Sequence, residues 1–332
     1  MKSQVEALKE RAKENKKRIV LPEGDDERII EAASKIAELG LADIILVGKE
    51  ETIKDIAAKK SLSLEKVRII DPDKYDRKKE IVDTFFTLRG AKGVTREEAE
   101  KIVLNDKVYF GALLTRLDVA DGFVAGASHT TADVARAALY CLGLDREIGI
   151  MSSSFLIELE DCPYGDNGLF IFGDCGVVPN PNANKLAGIA ISCNKLYTEV
   201  FKHKSRIALL SYSTKGSAKG ESPDKVIKAL EIIKEKAPDL IVDGEMQPDA
   251  ALVPEVAAVK APGSPVAGRA NVLIFPNLDA GNITYKITQR LGRARVVGPL
   301  LQGLKKPCSD LSRGCGVEEI IDAVVVTAIR AQ

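Results

Sequence analysis

The chain has 332 residues, of which 45% are apolar, enough to bury one large core or two of medium size. Lysine plus arginine number 48 and aspartate plus glutamate 48, so no net field favours DNA, RNA or an anionic membrane surface, and an anionic ligand must meet a local basic site. No apolar run approaches the ~18 to 20 residues that span a bilayer, and two histidines and six scattered cysteines make no HExxH or CxxC arrangement for zinc, which reads as a soluble, cytoplasmic protein with reduced thiols and no metal.

Residues 5–15 form a polar amphipathic stretch, followed by the β-type run Arg18-Ile19-Val20-Leu21, which Pro22 and Gly24 stop. A helix predicted over 26–39, with Gly40 as its left-handed cap, feeds a strand over 43–47. A strand over 67–70 follows, then a charged helix near 77–88 and a helix opened by the capping box of Thr95 and Glu98. Residues 122–126 close this half as a strand. A second alternating series starts near Ile148, with apolar runs at 168–172, 206–210, 240–242 and 271–275. Ser222-Pro223-Asp224 reads as the serine-capped start of one intervening helix. This alternation predicts doubly wound, mostly parallel α/β sheets.

Such sheets bind ligands beyond the carboxyl ends of their strands, so loops that leave a strand for a helix are the candidates. Residues 126–133 (GASHTTAD) place Ser128 and Thr130 before Arg136 and read either as a phosphate cradle or as a capped turn. His129 beside Ser128 is not set in a GxSxG elbow, and neither GxGxxG nor GxxxxGK[ST] occurs. Residues 211–220 (SYSTKGSAKG) concentrate hydroxyls and lysines after a strand, making Ser213 and Lys215 candidates for holding phosphate. Residues 260–268 (KAPGSPVAG) fix a rigid bend. The next strand leads through PNLDAGN into a helix carrying Arg290. Residues 310–316 (DLSRGCG) precede an apolar-periodic helix over 317–329. Glycines 314 and 316 let Ser312, Arg313 and the first-turn Glu318 and Glu319 converge on one anion, although acidic first-turn residues also serve simply to complement a helix dipole.

SYSTKGSAKG, KAPGSPVAG, NVLIFPNLDAGN (271–282) and DLSRG, with YGDNG at 164–168, occur in the order found in the phosphate acetyltransferase (phosphotransacetylase) family, which nearly the whole chain resembles. The resemblance implies two doubly wound α/β domains of the isocitrate and isopropylmalate dehydrogenase type with an active-site cleft between them. Residues 1–147 plus 299–332 would form a discontinuous first domain and 148–298 the second. It implies a homodimer that moves an acetyl group reversibly between coenzyme A and inorganic phosphate, with acetyl phosphate as the other acyl carrier. Coenzyme A is then a substrate, and no cofactor is expected.

Carried over by motif, Ser312 and Arg313 match the family's catalytic serine and arginine, while Arg89, Arg136 and Arg290 match its substrate-binding arginines. Guanidinium groups suit these ligands, because they make bidentate charge-assisted bonds to phosphate that lysine cannot copy. The family's general base is an aspartate, and the matching position here holds Glu319. In the implied reaction Glu319 takes the thiol proton, the thiolate attacks the carbonyl of acetyl phosphate and phosphate leaves, with Ser312 and Arg313 stabilising the developing charge. A thiol of pKa ~8.5 and a carboxylate of ~4.3 make that proton transfer uphill by roughly 6 kcal/mol before the site acts on either group. The alternatives are an acyl-enzyme through Cys162 or Cys315, a phosphate butyryltransferase, a dehydrogenase of the same fold, and a non-catalytic acetyl-coenzyme A sensor.

Overall fold

The computed structural model describes residues 3–332. It divides into two compact units, the first running to Leu144 and resuming at Leu304–Gln332, the second being Asp145–Gly303. The first unit begins with α1 (Gln4–Glu14), β1 (Arg18–Leu21), α2 (Glu27–Leu39), β2 (Asp43–Val47), α3 (Glu50–Lys59) and β3 (Arg68–Ile70). It continues with α4 (Lys78–Arg89), α5 (Arg96–Asn105), α6 (Lys107–Arg116), β4 (Gly122–Ala125) and α7 (Thr131–Cys141). Local chemistry sets several of these limits: Asp26 caps α2 by accepting the Arg28 N–H at 2.9 Å, Gly40 ends that helix at φ 69°, and Thr95 with Glu98 makes both bonds of a capping box.

The second unit contains β5 (Ser152–Glu158), β6 (Leu169–Gly173), α8 (Ala183–Phe201), β7 (Ile207–Leu210), α9 (Glu221–Lys236) and β8 (Val242–Met246). Then come α10 (Pro248–Leu252), α11 (Pro254–Lys260), β9 (Val272–Ile274), α12 (Leu278–Leu291) and β10 (Arg295–Gln302). Its strands run β10-β5-β6-β9-β7-β8, and β5 is antiparallel to both neighbours while the rest pair in parallel. The sheet of this unit is therefore mixed, with three of its five strand pairs parallel. Residues 159–168 return β5 to β6 without a helix, and a chain that reverses without a crossover helix must pair antiparallel. Phe155, Phe170, Phe172, Leu273 and Phe275 centre a buried cluster of this unit.

Two boundaries differ from the sequence reading. Helix α9 starts at Glu221 with Gly220 at the cap position, so Ser222 lies inside the first turn and caps nothing. Gly220 sits at φ 152° against the Tyr212 hydroxyl, and this turn sets the start. Strand β8 continues to Met246 because Asp243 and Glu245, polar but buried, find internal partners.

The chain re-enters the first unit through β11 (Cys308–Asp310) and α13 (Val317–Arg330). The strand order there is β3-β2-β1-β4-β11, all parallel. Helices α1, α2, α3 and α13 pack as one group and α4 to α7 as another, with members of both resting on β1 and β4. Covered on both faces, β1 beyond the exposed Arg18 and the whole of β4 are continuous buried runs. The strand order reverses between β1 and β4, the kind of switch point at which loops beyond the carboxyl ends part to form a ligand crevice. Because β1, β4 and β11 are neighbours, the loops after them lie side by side.

Candidate active site

The loop after β1 supplies Glu23, which is 1% exposed. One carboxylate oxygen accepts the N–H groups of Gly126 and Ala127, both at 2.8 Å. The other accepts the Ser128 N–H at 2.8 Å and the Ser128 hydroxyl at 2.9 Å, and lies 2.7 Å from His129 Nδ1. The GASHTTAD loop is thus an anion cradle, but the anion in it is a side chain of the same chain. Burial pushes the Glu23 carboxyl up, yet the bonds from His129, Ser128 and Ala127 outweigh it and hold the group below the usual carboxylate range. The same bond raises His129 against the opposing effect of its burial. Ser128 therefore directs its hydroxyl at Glu23. Thr130 caps α7, accepting the Asp133 N–H at 3.2 Å and donating to the Asp133 carboxylate at 2.7 Å.

The loop after β11 carries Ser312 and Arg313 on its exposed part, with Leu311 and Cys315 buried beneath. Arg28 of α2 anchors it: one terminal nitrogen donates to the carbonyls of Arg313 and Cys315, both at 2.9 Å, and the other to the Ala127 carbonyl at 2.8 Å and the Asp26 carboxylate at 2.7 Å. Gly126, at φ 116°, makes the close approach possible, since a Cβ there would lie 2.3 Å from Asp310 Oδ1. Asp310 is fully buried, with Oδ2 accepting the Thr131 hydroxyl at 2.5 Å and Oδ1 lacking a hydrogen-bond partner. Burial pushes its carboxyl up to about 7, opposed by the bond from Thr131.

Ser312 accepts the Gly314 N–H at 3.3 Å. Glu319, exposed in the first turn of α13, accepts the Gly316 N–H at 2.7 Å. This is the return half of a capping box only, because a glycine at the cap has no side chain to complete it. Glu318 lies 3.9 Å from Lys35. Burial pushes the Cys315 thiol up to about 11, although Arg28 opposes this, so at neutral pH it is not the thiolate that covalent catalysis needs. Cys162 packs against the core of the second unit, and all six cysteines are unpaired.

Helix α7 also organises two arginines. Arg136 pairs with Asp133 at 3.0 Å, and one turn further on Tyr140 presents its ring to the Arg89 guanidinium of α4, 3.7 Å from the ring centroid. The first unit thus gathers Ser128, Thr130, Arg136 and Arg89 around α7, and Ser312, Arg313 and Glu319 around the start of α13.

In the second unit Ser213 is fully buried, donating to Glu245 at 2.8 Å and accepting the Ala218 N–H at 3.0 Å. Lys215 is held by the Asp243 carboxylate at 2.5 Å and the Gly244 carbonyl at 3.1 Å. Ser264, from the rigid 260–268 bend, donates to the same aspartate. Ser213 and Lys215 thus brace their loop on β8. Arg290 lies on an exposed face of α12 beside Ile283, Ile287 and Leu291, which are 57%, 51% and 82% exposed.

Glu23 and Arg28 do not stand out in the sequence, and Asp310 opens the DLSRG motif with nothing there to mark its burial. The one available signal for Glu23 is an acidic residue leaving the first strand of a doubly wound unit. Among the described residues no group of three or more His, Cys, Asp or Glu is placed to hold a metal ion, and no helix is long and apolar enough to cross a membrane.

The sequence pattern of the family described as phosphate acetyl/butaryl transferase matches residues 3–328. A phosphate acetyltransferase from Thermoanaerobacterium thermosaccharolyticum is 46% identical over 328 residues, 99% of each chain. One from Acetivibrio thermocellus is 48% identical over 99% of this chain and 98% of its own. The crystal structure of a phosphotransacetylase from Streptococcus pyogenes superposes with a TM-score of 0.92 at 40% identity, covering 99% of this chain and 98% of that one.

Proposed function

This chain belongs to the phosphate acetyl/butaryl transferase family, and from that premise we propose that it transfers an acetyl group reversibly between coenzyme A and inorganic phosphate. The observation that carries this reading is the DLSRG turn, which exposes Ser312 and Arg313 beyond β11, beside the switch point, while Leu311 and Cys315 are buried and Arg28 holds the carbonyls of Arg313 and Cys315. In the direction of thioester synthesis, Glu319 takes the proton of the coenzyme A thiol. The sulfur then bonds to the carbonyl carbon of acetyl phosphate, and the bond from that carbon to the bridging oxygen breaks to release phosphate. Arg313 and Ser312 meet the charge that develops on the carbonyl and phosphate oxygens.

Electrostatics support this assignment. The N-terminal end of α13 and the Arg313 guanidinium both favour a thiolate over a thiol. Asp310, with its carboxyl raised to about 7, adds little negative charge behind the turn in mildly acidic conditions. Arg136 and Arg89 are assigned to the coenzyme A phosphates, and Arg290 to substrate binding on the family resemblance. Ser128, Thr130, Ser213 and Lys215 contribute by shaping loops. Coenzyme A acts as a substrate, and no cofactor is assigned a step. We place the reaction in the cytoplasm and assign a homodimer, supported by the exposed row of Ile283, Ile287 and Leu291 on α12, since contiguous apolar surface of this kind marks a contact.

The test is phosphate-dependent release of coenzyme A from acetyl- and butyryl-coenzyme A by the purified protein. Release from the acetyl thioester at least tenfold faster is expected, in keeping with the acetyltransferase names of the relatives. Preference for butyryl, or no release, overturns the reading.

A further inference from the structure

We propose that Arg28 is a positioning residue for the transfer reaction, locking the turn that carries Ser312 and Arg313 to the loop that opens α7. The inference rests on the acetyl-transfer reading for its kinetic consequence but not for its structural one.

The guanidinium is a planar fork of five N–H donors. Here it reaches three segments far apart in sequence: Asp26 at its own helix start, Ala127 after β4, and Arg313 and Cys315 after β11. Asp26 engages both Nε and a terminal nitrogen, at 3.1 and 2.7 Å, which fixes the plane of the fork. Ala127 is held from both sides, its N–H by Glu23 and its carbonyl by Arg28. The carbonyls of residues 313 and 315 straddle Gly314, so the clamp grips the turn across its most pliable residue.

Without the clamp, the turn keeps its internal bonds, from the Cys315 N–H to the Ser312 carbonyl at 2.9 Å and from the Gly314 N–H to the Ser312 hydroxyl at 3.3 Å, but loses those that tie the Arg313 and Cys315 carbonyls to α2, and glycines at 314 and 316 then let Arg313 reorient. Lysine cannot replace it, because a single ammonium does not reproduce a fork that is bidentate to Asp26 while reaching two loops. Arg28 itself aims at backbone and at Asp26, so its effect on catalysis passes through the placement of Arg313. A displacement of about 1 Å at a reacting group costs on the order of a hundredfold in rate.

The experiment pairs kinetics with amide hydrogen exchange on the intact protein. Arg28→Ala and Arg28→Lys are expected to lower kcat by roughly 10- to 100-fold while KM for acetyl phosphate and for coenzyme A moves by less than about threefold. Peptides covering 311–316 and 126–129 should exchange faster in both variants, with the rest of the first unit unchanged. Millimolar methylguanidinium should restore part of the kcat of Arg28→Ala and none of that of Arg313→Ala. Wild-type exchange at both segments, or a kcat within twofold of wild type, overturns the proposal. If Arg28→Ala does not fold, Arg28→Lys carries both measurements. If the wild-type protein transfers no acetyl group, the functional reading fails, and hydrogen exchange alone decides whether the clamp exists.

Discussion

Replacing Asp310 by asparagine isolates a buried carboxyl that should make the first unit less stable as pH rises. The group is fully buried, one oxygen bonded to Thr131 and the other unpartnered, and its carboxyl is raised from 3.8 to about 7. Between those two values the folded chain holds a proton that the unfolded chain has released. Stability therefore falls as pH rises through this window and levels off above about 7. Each pH unit inside the window is worth about 1.4 kcal/mol, so from pH 5 to pH 7 the loss is about 2 kcal/mol after rounding near the folded value. Asparagine mimics the neutral acid and cannot titrate, and all other groups are common to both proteins. Urea unfolding of wild type and Asp310→Asn at pH 5, 6, 7 and 8 should show the variant gaining about 2 kcal/mol on wild type between pH 5 and pH 7 and little more beyond. A flat difference, or wild type gaining on the variant, would mean that the carboxyl is ionised in the folded protein over this range.

Three further outcomes are expected. The His129 imidazole should titrate above its ordinary range by NMR and fall back toward it in Glu23→Gln, since the bond to Glu23 raises it; the stability of that pair is present below the unfolded histidine value near 6.5 and lost as pH rises through the folded one, so an unshifted His129 in wild type contradicts the cradle. Cys315 should resist a thiol reagent at pH 7.5 in the folded protein, and Cys315→Ala should keep its kcat within about fivefold, because a thiol raised to about 11 is almost wholly protonated; a trapped acetyl-cysteine would reverse this. Glu319→Gln should retain the bond to Gly316 and unfold within about 0.5 kcal/mol of wild type, while Glu319→Ala loses about 1 kcal/mol with the half box. Both should lose about a hundredfold or more in kcat, and near-normal turnover of Glu319→Gln at all pH values removes it as the base.

Local chemistry made much of the fold readable. Gly40, the Thr95 and Glu98 box, Pro22 and the apolar runs of β1 and β4 act within a few residues of themselves, so their outcome does not depend on the rest of the chain. The antiparallel course of β5 and β6 was not readable, because an apolar run does not reveal whether a helix will separate it from the next one. The DLSRG turn was legible as a motif, but its supports were not. Glu23 fills a loop 103 residues away, and Arg28 meets carbonyls 285 and 287 residues away. A carboxylate that satisfies a row of amides has no periodicity and no spacing to announce it. The same holds for Asp243 and Glu245, which look out of place in a buried strand until Lys215, Ser264 and Ser213 are seen against them.

The exposed serine and arginine of the DLSRG turn are assigned an acetyl transfer between coenzyme A and phosphate. That assignment is decided by the formation of acetyl-coenzyme A from acetyl phosphate, followed by thioester absorbance for wild type, Ser312→Ala and Arg313→Ala. Turnover should need both substrates and fall in kcat by about a hundred- to a thousandfold in Arg313→Ala and by at least about tenfold in Ser312→Ala, with both variants folded. No thioester from the wild-type protein, or Arg313→Ala turning over at the wild-type rate, would contradict the assignment.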